Sequence, residues 1–174
     1  METSMQYPIG QFRYEGADAA GLEHWIDEIA ALPAKLRAAT DGLNAEQLAT
    51  PYRDGGWTVK QVVHHVADSH MNSFIRFKLA LTEDRPTIKP YDEAAWAELE
   101  DGSGDDIGVS LALVEAVHIR WVRLLRSMTP DQFDRTFVHP ESGETPLRRA
   151  VGLYAWHGNH HTAHITSLRE RMGW

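Results

Sequence analysis

The sequence predicts an all-α protein: a four-helix bundle with a crossover connection and at most a small hairpin. Four long segments place apolar residues at helical spacing, while almost nothing alternates with the period of a strand. The long polar connection between the second and third segments suggests a crossover rather than simple up-and-down order.

The first segment opens at about Asp18, a residue suited to an N-cap, and runs to Thr40. Leu22, Trp25, Ile26, Ile29, Leu32 and Leu36 fall on its apolar face. Pro33 lies inside it and is expected to kink or locally break it. "PYRDGGWT" is a turn, after which Thr58 and Gln61 form a capping box that opens the second helix, continuing to about Glu83. A polar, proline-containing connection follows, with one short helix near Asp92–Leu99. The third helix, about Ile107–Met128, carries Leu111, Val114, Val117, Trp121, Leu124, Leu125 and Met128 on one face. "FVHPESGET" reads as a hairpin turn. Thr145 as N-cap and Pro146 at the first helical position are expected to start the fourth helix, which Gly173 ends.

A chain of 174 residues suits one domain, 1–174, with a sizeable core, and no linker or repeat divides it. A formal net charge of −8 with no basic run disfavours nucleic acid and anionic membrane surfaces. With no cysteine, disulfides, thiolate ligands and a cysteine nucleophile are excluded, so any thiol must arrive with a ligand. The first residues lack a basic stretch followed by an apolar core, and no apolar run is long enough to span a bilayer. A cytoplasmic protein is the expectation.

Four of the ten histidines crowd into "HGNHHTAH", within a stretch that otherwise reads as a buried helix. At about 100° per residue, His157, His161 and His164 fall on or at the edge of the face set by Leu147, Ala150, Val151, Tyr154, Ile165, Leu168 and Met172. His160 lies further round the flank. His157 and His161 are four apart, so their imidazoles can converge on one ion. Buried imidazoles are costly unless something satisfies their ring nitrogens, which a divalent metal does.

One helix cannot complete a coordination shell, and the second helix offers His64, His65 and His70. His70 lies amid Val63, Val66, Phe74 and Phe77 and reads as a hydrogen-bonded core histidine. His65 heads a polar stripe with Ser69, Asn72 and Arg76, which periodicity leaves equally open as a pocket wall or a solvated face. His118 faces the core from the third helix, in a structural or ligand-supporting role. The glutamate of HExxH is missing, since Gly158 follows His157, so a zincin protease is disfavoured.

"WTVKQVVHHVADSH" resembles the second-helix motif of the DinB-like superfamily, W-[ST]-x-x-[EQ]-x-x-x-H, and "HGNHHTAH" resembles its last-helix H-x-x-x-H motif. "YPIG", "PYRDGGWT", "HMNSFIRFKLALTE", "KPYDE" and "ITSLRERMGW" are similar to the YfiT subgroup of metal-dependent hydrolases. By motif position the resemblance implies His65, His157 and His161 as the metal ligands, with His164 supporting them. It further implies a four-helix bundle, a homodimer, and one zinc or nickel ion per chain with open positions for water.

The function expected on that basis is hydrolysis of a small-molecule substrate by a metal-activated water. Asp68 is a candidate base or orienting carboxylate, although the helical wheel turns it away from the pocket. Asn72 and Arg76 are candidates for binding a polar or anionic substrate group. Superfamily relatives suggest an alternative, in which the same metal activates a low-molecular-weight thiol such as bacillithiol or mycothiol. A third reading is a non-catalytic metal-binding dimer, its coordination closed by His164 or His64.

Overall fold

The computed structural model describes residues 4–174. Its elements run in the order α1 (Ala19–Thr40), α2 (Ala45–Leu48), α3 (Val59–Thr82), α4 (Glu93–Ala97), α5 (Glu100–Ser103), α6 (Ile107–Ser127), α7 (Pro130–Phe133), β1 (Thr136–His139), β2 (Gly143–Pro146) and α8 (Leu147–Met172). The four expected long helices are α1, α3, α6 and α8.

Asp18 caps α1 by accepting from the Gly21 amide at 2.8 Å. Thr58 and Gln61 form the reciprocal capping box at the start of α3. Gly173 ends α8 at φ 71°, a left-handed conformation that glycine adopts without a Cβ penalty. Pro33 does not break α1, which stays helical on both sides. Ile29 and Leu32 before it and Leu36 after it are at most 1% exposed, so packing pins both halves and offsets the lost backbone hydrogen bond.

The start of α8 also differs from expectation. Thr145 pairs with Phe137 in the hairpin, and Pro146 occupies the cap position rather than the first helical one. The Leu147 amide donates to the Arg135 carbonyl at 2.9 Å, so the neighbouring chain satisfies a group that a side-chain cap would otherwise take. The hairpin itself forms around Gly143, at φ 83°.

Around the bundle, α1 packs against α8 and α6, and α3 packs against α6 and α8. The long segment between α3 and α6 therefore joins neighbours. The connections that cross the bundle are those from α1 to α3 and from α6 to α8.

The apolar core falls into two clusters. One contains Ile26, Ile29, Phe77, Trp121, Leu125, Leu147 and Val151; the other contains Leu32, Leu36, Val62, Val66, Val114, Ile165 and Leu168. On α6, His118 lies between Val114 of one cluster and Trp121 of the other. On α8, His157, His160, His161 and His164 lie between Ala155 and Ile165. A layer of histidines thus divides the core at mid-height.

Helix α1 reaches this layer through close contact with α8. A Cβ at Gly152 would stand 2.8–3.0 Å from three ring atoms of Trp25, and one at Gly158 would stand 2.6 Å from a Leu32 methyl. The indole is rigid, so Gly152→Ala should destabilise the protein by about 1–3 kcal/mol through overpacking. The better helix propensity of alanine offsets up to about 1 kcal/mol of that. Urea denaturation measures the balance; an unchanged or raised midpoint would show that Trp25 can move aside.

Candidate metal centre

Two helices build the site. On α8, the four-residue spacing places His157 one turn before His161, the rings edge to face at 75° and their Nε2 atoms 3.2 Å apart. On α3, the turn at Trp57 and the Thr58 cap set the phase that delivers His65, whose Nε2 stands 3.3 Å from that of His157. The Trp57 ring packs 4.6 Å from the His65 ring, centroid to centroid. His65 and His161 are buried, and His157 is the partly accessible member.

The donor set fits a divalent ion. Burial pushes His65 down to about 4, and burial also holds His157 and His161 well below the ordinary histidine value. All three are neutral at pH 7, each with a lone pair to offer. Nitrogens bound at about 2.0–2.1 Å to one ion stand about 3.3 Å apart at the tetrahedral angle and about 2.9 Å apart at a right angle. The two edges from His157, 3.2 and 3.3 Å, fall within what one ion can bridge, and all three donor atoms lie within 4.8 Å of one another.

The other histidines do not sit idle. His70 is fully buried, as expected of a core residue, but its Nε2 lies 3.1 Å from Nδ1 of His157. Its own Nδ1 lies 2.9 Å from Nε2 of His118. His164 contacts Nδ1 of His161 at 3.3 Å and stacks on Tyr52 at 3.9 Å between centroids. His160, placed on the flank by the sequence, is 7% exposed: it stacks on Trp156 at 4.4 Å and against Tyr7 at 5.7 Å. Tyr7, from the N-terminal segment, supplies part of that cover, which no helical periodicity could reveal. His64 is turned away, held by Ser110 Oγ at 2.6 Å and by the Gly104 carbonyl at 2.8 Å.

His160, His161 and His164 form a second close triple. It shares His161 with the first, and its His161–His164 edge uses the Nδ1 of each ring. An ion there and an ion at Nε2 would together require His161 as an imidazolate. The triple is better described as support for the first site.

The polar stripe of α3 splits. Ser69 is buried, its hydroxyl 3.2 Å from that of Tyr154, whose ring lies 5.4 Å from His157. Burial raises the Tyr154 pKa, so this phenol stays protonated. Helical periodicity places Tyr154 on the apolar face and says nothing of its hydroxyl; a tyrosine one turn before His157 is the available signal. Asn72 donates its side-chain amide to the Asp68 carbonyl at 2.8 Å. Arg76 lines a separate cleft with Tyr91 and Glu93, and its charge partly offsets the effect of burial that raises the Glu93 pKa. Asp68 faces a third cleft with His64, Asp101 and Asp106; burial first, then Asp101, raises its pKa.

The DinB superfamily profile matches residues 28–165. A "putative metal-dependent hydrolase" of Bacillus mycoides (strain KBAB4) is 60% identical over 171 residues, 98% of each chain. A protein of the same description from Bacillus cereus (strain 03BB102) is 59% identical, again over 98% of each. Among solved structures, YfiT from Bacillus subtilis, described as a probable metal-dependent hydrolase with an unusual four-helix bundle topology, superposes with a TM-score of 0.95. It is 53% identical and covers 98% of both chains. The four-helix bundle protein TT2238, at 20% identity and a TM-score of 0.56 over 88% of this chain and 99% of its own, shares the fold alone. By profile, identity and coverage together, the chain belongs to the DinB superfamily.

Proposed function

We propose that the protein is a metal-dependent hydrolase of a small molecule and that His65, His157 and His161 hold one divalent ion, zinc in preference to nickel. The observation that carries this reading is the convergence of three neutral histidines, with His157 Nε2 3.2 and 3.3 Å from the other two Nε2 atoms and all three donors within 4.8 Å of one another. An ion held by these three histidines would supply Lewis-acid activation of a water, whose pKa it would bring toward about 7, and of a substrate carbonyl.

The chain supplies the rest. Neutral imidazoles leave the ion its full charge, and the flanking Trp57 ring screens one side from water. The Tyr154 hydroxyl, kept protonated and paired with Ser69, can donate to a substrate oxygen. Arg76, in its cleft with Tyr91, is the candidate for an anionic substrate group. Asn72 retains its carbonyl oxygen as an acceptor, while Asp68 lines the cleft beside His64, Asp101 and Asp106. Arg76→Ala should raise KM for an anionic substrate with little change in kcat, and an unchanged KM removes that residue from the site.

The whole chain is proposed to act as one domain and to pair as a homodimer, with the exposed Val109 and Ile119 of α6 as apolar surface for pairing. No helix among the described residues is long and apolar enough to cross a membrane; a cytoplasmic location is part of the same proposal. Cobalt substitution separates hydrolysis from thiol transfer. Micromolar bacillithiol or mycothiol should leave the cobalt spectrum unchanged in a hydrolase. A new sulfur-to-metal charge-transfer band would instead make the thiol the partner and overturn the hydrolytic reading.

A further inference from the structure

We infer that His70, His118 and His164 are positioning residues: two one-way hydrogen-bond chains, each anchored on a backbone carbonyl, fix which nitrogen of His157 and of His161 is left bare to face the ion. The inference rests on the reading of His157 and His161 as ligands and adds how the core presets them.

The direction of the first chain follows from its anchor. Nδ1 of His118 lies 2.7 Å from the Val114 carbonyl, which can only accept, so this nitrogen carries the proton. His118 is 1% exposed and neutral, so its Nε2 is bare and must accept from the next ring. Nδ1 of His70, 2.9 Å away, therefore donates to it, which leaves Nε2 of His70 bare in turn. Nδ1 of His157, at 3.1 Å, donates to that atom. The Nε2 of His157 is then an unprotonated lone pair, aimed at the centre of the site.

The second chain is shorter and reaches the same end. Nε2 of His164 donates to the Gln6 carbonyl at 2.9 Å, which leaves Nδ1 of His164 as an acceptor. Nδ1 of His161 donates to it at 3.3 Å, so Nε2 of His161 is also bare. The two lone pairs meet 3.2 Å apart, an arrangement that is repulsive until a cation lies between them. One anchor belongs to helix α6; the other belongs to the segment preceding α1. Random tautomers would break at least one link in each chain and bury an unpaired donor.

Nitrogen-15 labelling of histidine, read by long-range proton–nitrogen correlation, tests the assignment directly. In zinc-loaded and metal-free protein alike, His70 and His118 should carry the proton on Nδ1 and His164 on Nε2. The opposite tautomer at any of the three overturns the chain that contains it, whereas simple packing would demand no particular tautomer. His118→Phe removes the acceptor for His70 and should weaken zinc binding roughly 10–100-fold in competition with a chromophoric chelator. His118→Gln, which restores a side-chain carbonyl, should recover most of that affinity. Unaltered affinity in His118→Phe overturns the inference, and if that variant fails to fold, the tautomers of the unaltered protein decide. Should the unaltered protein bind no zinc, the ligand reading fails, yet the metal-free tautomers still support or overturn the chains.

Discussion

Replacing His161 by alanine should abolish zinc binding at the concentrations where the unaltered protein is saturated, and catalysis should fall to background. Structural zinc sites with four protein ligands are worth about 10–16 kcal/mol, or about 2.5–4 kcal/mol per ligand. Losing one ligand therefore raises Kd by roughly 10²–10³-fold. His157→Ala should match or exceed this effect, because it also strips His70 of its donor at 3.1 Å. His160→Ala should not, since His160 stacks on Trp156 outside the first triple. Isothermal titration of each variant with zinc checks the ordering. Equal losses at His160 and His161 would mean that general disruption of α8, rather than ligation, is being measured.

The second large effect is on acid stability. Burial holds His118 and His65 at about 4 in the folded chain, against about 6.5 when unfolded. The unfolded state therefore takes up these protons first. Stability is fully present above about pH 6.5 and is lost as pH falls from there toward about 4, after which these groups cost nothing further. His118 alone, 1% exposed, accounts for about 3 kcal/mol of that loss. Urea midpoints of metal-free protein at pH 7, 5.5 and 4 should fall steadily. Identical midpoints would mean that these histidines are hydrated or already charged in the folded state.

Much of the site was legible in the sequence because a helix converts spacing into direction. The pairing of His157 with His161 and their placement on the apolar face of α8 follow from about 100° per residue alone. Periodicity could not decide between a wall and a solvated face for His65; the family resemblance chose it, and the fold brings its Nε2 to His157. What remained hidden depends on contacts between elements. His70 looked like an ordinary core residue because its partners, His118 and His157, stand 48 and 87 positions away in the chain. The burial of His160 depends on residues near Tyr7, which have no helical pattern of their own.

The fold shows the same division. Asp18, Thr58, Gln61 and Gly173 act locally, through hydrogen bonds or φ angles within a few residues, and each terminus they mark is where the sequence places it. Thr145 and Pro146 carry an equally good local signal, but cross-strand pairing with Phe137 and Thr136 takes them into the hairpin. The crossing connections escaped for a related reason. The length of the α3–α6 segment reflects α4, α5 and the strand-like contact of Ile88 with Val138, not a passage across the bundle.

The most direct test of the central claim is metal content per chain, measured by elemental analysis on protein purified without an affinity tag or chelator. About one zinc per chain, absent from His161→Ala, is the expected result. A chain that holds no stoichiometric metal even after reloading with zinc would contradict the account and return these histidines to a purely structural role.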